Sequence, residues 1–474
     1  SPIAIADAVA TSPLARNAAE KAPVYAVVTN STYDGLCYRA DRVVELLGQS
    51  VPRVHFDEAW FAYARFHPLY ANRYAMHDRT PAPGDPTIFA TQSTHKLLAA
   101  FSQASMIHIR PSARAPVEPS RFNEAYMMHG STSPFYPMIA CLDVATAMMD
   151  GPGGLTLVEE AIREAVQFRR RIVTLGRRLA NGPDGGAPWF FGVWQPDEVH
   201  DPALNKVSPF AEARADLLET EPPCRGLEPG QSWHGFGELD SGYCMLDPTK
   251  VTLTTPGIDA AGSLAETGIP APVVSSYLDN HRVEVEKTGD YSLLVLFSIG
   301  TTRGKWGTLL EGLLGFKRAY DSGQSLTEAT PDLVAAYPDR YGDTTLRELC
   351  DEMHAEVRAH GTIELLDRAF AELPVPATTP SEAYRRLVRA RTERVPVSQM
   401  AGRVAAVMVV PYPPGIPILM PGERAGALDG PVLGYLLALE AFDAKFPGFA
   451  HDIHGVERDE LGIFSIECLS DEAG

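Results

Sequence analysis

Three short strand-like runs, each giving way to polar residues, constrain this chain most. Residues 24–29 (VYAVVT) are continuously apolar and β-branched, the mark of a strand buried on both faces. A turn-rich stretch, Asn30-Ser31-Thr32-Tyr33-Asp34-Gly35, and a helical segment over about 40–47 follow. The second run, 53–56, ends in Asp57-Glu58-Ala59-Trp60, and the third, 87–90, ends in Thr91-Gln92-Ser93-Thr94-His95-Lys96. Strand, helix, strand with polar residues at the strand ends is the pattern of an α/β fold with an open parallel sheet. In such a sheet ligands sit outside the carboxyl ends of the strands.

Gly151-Pro152-Gly153-Gly154 is a natural boundary, dividing the chain into residues 1–150 and 151–474. Beyond it a long amphipathic helix is expected over about 157–179, with Val158, Ile162, Ala165, Ile172 and Leu179 on one face. Its Arg169-Arg170-Arg171 run reads as a solvated face. Residues 251–254 and 292–299 read as strands among helices, so the rear region is α+β. Thr379-Pro380-Ser381-Glu382 carries the cap, first-turn proline and third-position glutamate of a helix start. Residues 407–421, with five prolines, should be mostly extended. The first twenty-odd residues read as a loosely held lead-in.

Composition excludes several classes of function. Hydrophobic residues make up 45% of the 474 and charged residues 21%, so the chain is globular rather than disordered. Lys and Arg number 41 against 60 Asp and Glu, a net charge of −19, which disfavours nucleic acid and anionic membrane as partners. No apolar run reaches the ~18 residues of a membrane span. The six cysteines have no CxxC spacing, so neither a disulfide scaffold nor a zinc ribbon is expected, and a cytoplasmic location is the default. No metal site is expected.

Lys96 carries the strongest chemical signal. A lysine at a strand end needs a reason if it is desolvated, and Schiff-base formation with a carbonyl cofactor is one. Read alone, it is more readily a strand-end lysine that simply reaches solvent. Asp57 shifts the balance, because neighbouring parallel strands bring it to the same rim. Pyridoxal phosphate needs a carboxylate at its ring nitrogen to keep the ring protonated, and Trp60 is placed to pack near such a ring.

The stretch His55-Phe56-Asp57-Glu58-Ala59-Trp60 and the run 93–108 (STHKLLAAFSQASMIH) resemble the bacterial ornithine/lysine/arginine decarboxylases. The likeness continues through 122–129 (FNEAYMMH), Trp233-His234-Gly235-Phe236 and 411–417 (PYPPGIP). It implies the aspartate-aminotransferase type of fold (fold type I). Residues 1–150 would be the rear part of the pyridoxal 5'-phosphate domain and 151–474 a C-terminal α+β domain.

Carried over, the resemblance makes Lys96 the Schiff-base lysine and Asp57 the ring-nitrogen partner. Ser93 and His95 would contact the cofactor phosphate, and Ala59 and Trp60 would line the ring. Ser131 and Thr132 would reach the cofactor of the neighbouring subunit in a homodimer or larger oligomer. Trp233 and His234 are weaker candidates for the substrate region, with a packed loop as the equal alternative. The reaction implied is decarboxylation of a basic amino acid, with Lys96 or His95 returning a proton to Cα, and polyamine supply or acid resistance as its setting. Lysine is favoured by 192–196 (GVWQP), 285–289 (VEKTG) and 402–408 (GRVAAVM), with arginine second and ornithine third. Another pyridoxal-phosphate enzyme, such as an aminotransferase, would use the same two residues. Family members carry an N-terminal wing and a first half of the cofactor domain that have no counterpart here. A companion polypeptide is therefore expected, and a non-catalytic fragment is the remaining alternative.

Overall fold

The computed structural model describes residues 1–16, 18, 22–181, 189–259 and 261–470. The lead-in holds a helix, α1 (Pro2–Thr11), started by the Ser1 hydroxyl accepting the Ala4 N–H. None of its residues is buried.

A four-stranded sheet follows, built from β1 (Ala26–Thr29), β3 (Arg53–Asp57), β4 (Thr87–Gln92) and β5 (Met106–Arg110). The first three strands are parallel and β5 runs antiparallel to β4. β2 (Leu36–Tyr38) instead pairs with the strand Cys244–Leu246. One face of the sheet is covered by α2 (Ala40–Gly48), whose Ala40, Val43 and Val44 pack with Val54, Phe56, Ile88 and Ala90. β1 is not buried on both faces as its composition suggests. It is the edge strand, and Val27, with the preceding Val24 and Tyr25, is exposed. A run of β-branched residues reports strand propensity, but burial also requires a neighbour, and β1 has one on a single edge among the described residues.

α3 (Thr94–Leu97) is a single turn after β4; α4 (Pro119–Met127) and α5 (Tyr136–Met149) are largely exposed. The long helix α6 (Pro152–Ala180) opens on Gly151 and Pro152. Gly154 is required there, because a Cβ would stand 1.9 Å from the Met149 carbonyl oxygen. The division expected after residue 150 thus falls at the α5–α6 junction. Leu97, Leu98 and Met149 before it share one apolar cluster with Val158, Ile162 and Val166 after it.

Arg169 departs from the solvated face expected for its triplet. It is buried, and its guanidinium donates to the carbonyls of Lys250 (2.7 Å), Trp194 (3.2 Å) and Pro248 (3.3 Å). Burial, with a smaller push from Arg225, lowers its pKa to about 9. Sequence charge clustering does not show that one arginine of three lies on the apolar stripe, where its five donors cap loose carbonyls.

A second, antiparallel sheet lies behind α6 and contains Lys250–Thr254 and Ser292–Leu296. The last region joins Thr392–Pro396, Val456–Arg458 and Phe464–Leu469 in a sheet packed on the helix Pro431–Lys445. The helix Pro380–Val388 starts on Thr379, whose hydroxyl accepts the Glu382 N–H at 3.2 Å. No helix of the described residues is long and apolar enough to cross a membrane.

Candidate active site

The carboxyl ends of β3 and β4 build the site. Parallel register sets Asp57 beside Thr91 on one side and Thr29 on the other. The Asp57 carboxylate accepts the Ala59 N–H at 3.1 Å, which fixes it at the turn leaving β3. Two residues after the end of β4, α3 presents Thr94, His95 and Lys96. The Lys96 ammonium lies 5.5 Å from the centre of the Trp60 ring, so the two strand ends do share one surface. Among the described residues no carboxylate lies within ion-pair distance of that ammonium. Ser93 and His95 are half-buried, and His95 Nδ1 donates to the Ala104 carbonyl at 2.9 Å.

The desolvation argument picks out a different lysine. Lys96 is exposed, whereas Lys250, on the second sheet, is wholly buried. Its ammonium donates to the Ser31 hydroxyl and to the Thr32 carbonyl (3.3 Å), and lies 5.8 Å from the Trp60 ring centre. Burial lowers its pKa, against the pull of Asp247.

Lys250 belongs to a clamp on the loop after β1. Asp34 accepts the Lys287 ammonium on both oxygens at 2.9 Å and the Thr252 hydroxyl at 3.1 Å. Gly35, at φ +93°, accepts the Asp247 N–H at 2.7 Å, and a Cβ on it would stand 3.1 Å from the Lys250 Cβ. The clamp sets Tyr33 edge-on to Trp60, with ring centres 4.9 Å apart, and its hydroxyl meets that of Tyr412 from the last region. Glu286 lies within electrostatic reach of Lys96. Its carboxyl is raised chiefly by burial and also by Glu284, and is drawn back by the lysine's charge.

Sequence reasoning missed Tyr33, Lys250, Glu286 and Tyr412. Tyr33 carried a usable signal, since it follows a strand whose carboxyl end faces the site. The others reach the rim from distant parts of the chain, and no local pattern marks them.

Two expected groups lie elsewhere. Ser131 and Thr132 are exposed between α4 and α5, where the Ser131 hydroxyl accepts the Ser133 N–H at 3.1 Å. Trp233 donates to Gln231 at 2.9 Å, and His234 donates from Nε2 to the Glu228 carbonyl at 3.0 Å. Trp233 packs with Trp194 on a cluster built from Leu36, Tyr38, Leu227, Cys244 and Leu246, not on the Asp57–Lys96 rim. Among the described residues no three His, Cys, Asp or Glu side chains are grouped to hold a metal ion.

Two polar atoms at the rim, Trp60 Nε1 and Thr94 Oγ1, are buried without a hydrogen-bond partner. With an amine free of any carboxylate and a fixed carboxylate on the adjoining strand, the donor set fits an anionic aldehyde cofactor with a basic ring nitrogen.

Residues 3–305 match the family model for the Orn/Lys/Arg decarboxylase major domain, and residues 363–470 that for the C-terminal domain. The chain is 47% identical over 470 residues to lysine decarboxylase LdcA of Pseudomonas aeruginosa, covering 98% of this chain and 60% of the relative. Its identity to the biodegradative arginine decarboxylase of Escherichia coli is 45%, covering 97% of this chain and 60% of the relative. The solved structure of lysine decarboxylase A from Pseudomonas aeruginosa superposes with a TM-score of 0.89 at 46% identity, covering 99% of this chain and 60% of that one. The chain thus spans about 60% of the length of these relatives. It belongs to the Orn/Lys/Arg decarboxylase family.

Proposed function

We propose that this chain takes part in the pyridoxal-phosphate-dependent decarboxylation of a basic amino acid, L-lysine to cadaverine and carbon dioxide. The observation that carries the reading is the Lys96 ammonium, free of any carboxylate among the described residues, over Trp60 beside the strand end that holds Asp57. Pyridoxal phosphate, when bound, supplies a protonated ring that accepts the electron pair released from Cα.

The chain's own residues do the rest. Lys96 would hold the cofactor through its amine, and once released its ammonium would carry a proton to Cα. Asp57 keeps the proton on the ring nitrogen. Ser93 and His95 hold the phosphate; because Nδ1 of His95 is committed to Ala104, Nε2 is the atom it offers. Ala59 and Trp60 wall the ring. Glu286 supplies the negative charge for the substrate's distal cation, which a hydrocarbon wall would not distinguish from a neutral side chain. Each turnover consumes one proton. A homodimer brings Ser131 and Thr132 to the neighbouring site, and the exposed apolar side chains Met128, Phe135, Tyr136 and Ile139 beside them favour that arrangement.

Identity to lysine and arginine decarboxylases is close, 47% against 45%, so arginine is the second substrate to test. The deciding experiment adds the cofactor, reduces with borohydride and weighs the intact protein, followed by product analysis with lysine and with arginine. A pyridoxyl adduct on Lys96 and carbon dioxide release without a keto acid support the reading. An adduct with amino-group transfer to a keto acid would make the protein an aminotransferase, and no adduct would sink its role as an enzyme. The same spectrum tests the companion polypeptide; among the described residues β1 is paired on one edge only.

A further inference from the structure

Glu58, next to Asp57, is wholly buried and has no cation within ion-pair distance among the described residues. A carboxyl taken out of water is costly unless its oxygens are satisfied, and here they are. One accepts the Ala75 N–H at 2.6 Å; the other accepts the Gln92 amide at 2.9 Å. The Asn30 side chain also hydrogen-bonds to it. These partners come from three places: the residue after β1, the last residue of β4 and the segment before β4. Gln92 directly precedes Ser93, and its side-chain Oε1 accepts from His108 Nε2 on β5 at 3.2 Å. The Glu58 N–H in turn donates to the Thr91 carbonyl at 2.9 Å.

We infer that Glu58 is a positioning residue, one that knots the carboxyl ends of β1, β3 and β4 so that Asp57 and the turn 93–96 face one cofactor together. The titratable groups nearest it are Asp57 on its own strand end, Tyr74 beside Ala75, which itself hydrogen-bonds Arg65, and His108 one hydrogen bond further on. The inference rests on the cofactor reading above.

The test compares wild type, Glu58→Leu and Glu58→Gln in the full chain, titrating pyridoxal phosphate by absorbance and following amide exchange without cofactor. Leucine keeps the bulk and removes both acceptors, whereas glutamine keeps a carbonyl to accept. Glu58→Leu should weaken cofactor binding at least tenfold and speed exchange in the 57–60 and 90–96 segments, with the distant helix Pro431–Lys445 unchanged. Glu58→Gln should restore affinity to within threefold of wild type. Gln92→Leu, which cuts the knot from the other strand, should reproduce the loss should the first variant fold poorly. Ile172→Val, a remote core change, serves as the control for lowered stability alone. Affinity in Glu58→Leu within twofold of wild type, or a loss matched by the control, overturns the inference while leaving the cofactor reading intact. Wild-type protein that binds no cofactor overturns both.

Discussion

At the scale of single residues, Lys96 and Lys250 flank the same tryptophan at similar distances but have different chemistry. Lys96→Ala should abolish the borohydride-fixed adduct, whereas Lys250→Met should retain it, as intact mass will show. Asp57→Asn should keep the adduct yet lower kcat by about 10²–10³, the usual cost of losing a preorganised charge at the reacting group. Glu58 gives a pH signature. Burial pushes its carboxyl from 4.5 up to about 7, so the folded chain holds a proton that the unfolded chain has released. Its contribution to stability is therefore complete below pH 4.5 and is lost as the pH rises to about 7, a change of about 3 kcal/mol. Urea unfolding at mildly acidic and mildly alkaline pH should show that loss in wild type, and Glu58→Gln should remove most of it. The placement of Asp57 and Lys96 at adjoining strand ends was legible because strand ends can be counted in a sequence. Lys250 was not, since a lysine opening the five-residue strand Lys250–Thr254 looks solvent-facing until the loop after β1 folds over it.

Secondary-structure elements were legible where local chemistry decides them. α2 and the helix Pro380–Val388 lie where capping and periodicity put them. β1 and Arg169 were misread because burial is decided by the neighbour and not by the segment itself. α6 shows the interplay: its apolar stripe was readable, but its entry depends on one hydrogen atom at Gly154 lying against Met149. Gly154→Ala should therefore destabilise the protein by about 1–3 kcal/mol, as overpacking does, seen as a lower urea midpoint with an unchanged slope.

For the whole molecule, the net charge of −19 opposes association, so any subunit contact has to be apolar and local. α4, α5 and the loop between them supply such a surface, and on the proposed homodimer Ile139→Asp should shift sedimentation from dimer to monomer while leaving the circular dichroism spectrum unchanged. That surface was hidden in the sequence, because apolar residues on α5 look like core until the packing leaves them outside.

Tyr33 and Tyr412 meet across 379 residues of chain. During synthesis the segments that carry Asp57 and Lys96 leave the ribosome before the one that holds Tyr412, and the wall beside Trp60 stays open until that segment has emerged. A nascent chain stalled before that point carries every residue assigned to the cofactor and still lacks a finished pocket. The contact beside Trp60 is thus completed only by a residue of the proline-rich 407–421 stretch.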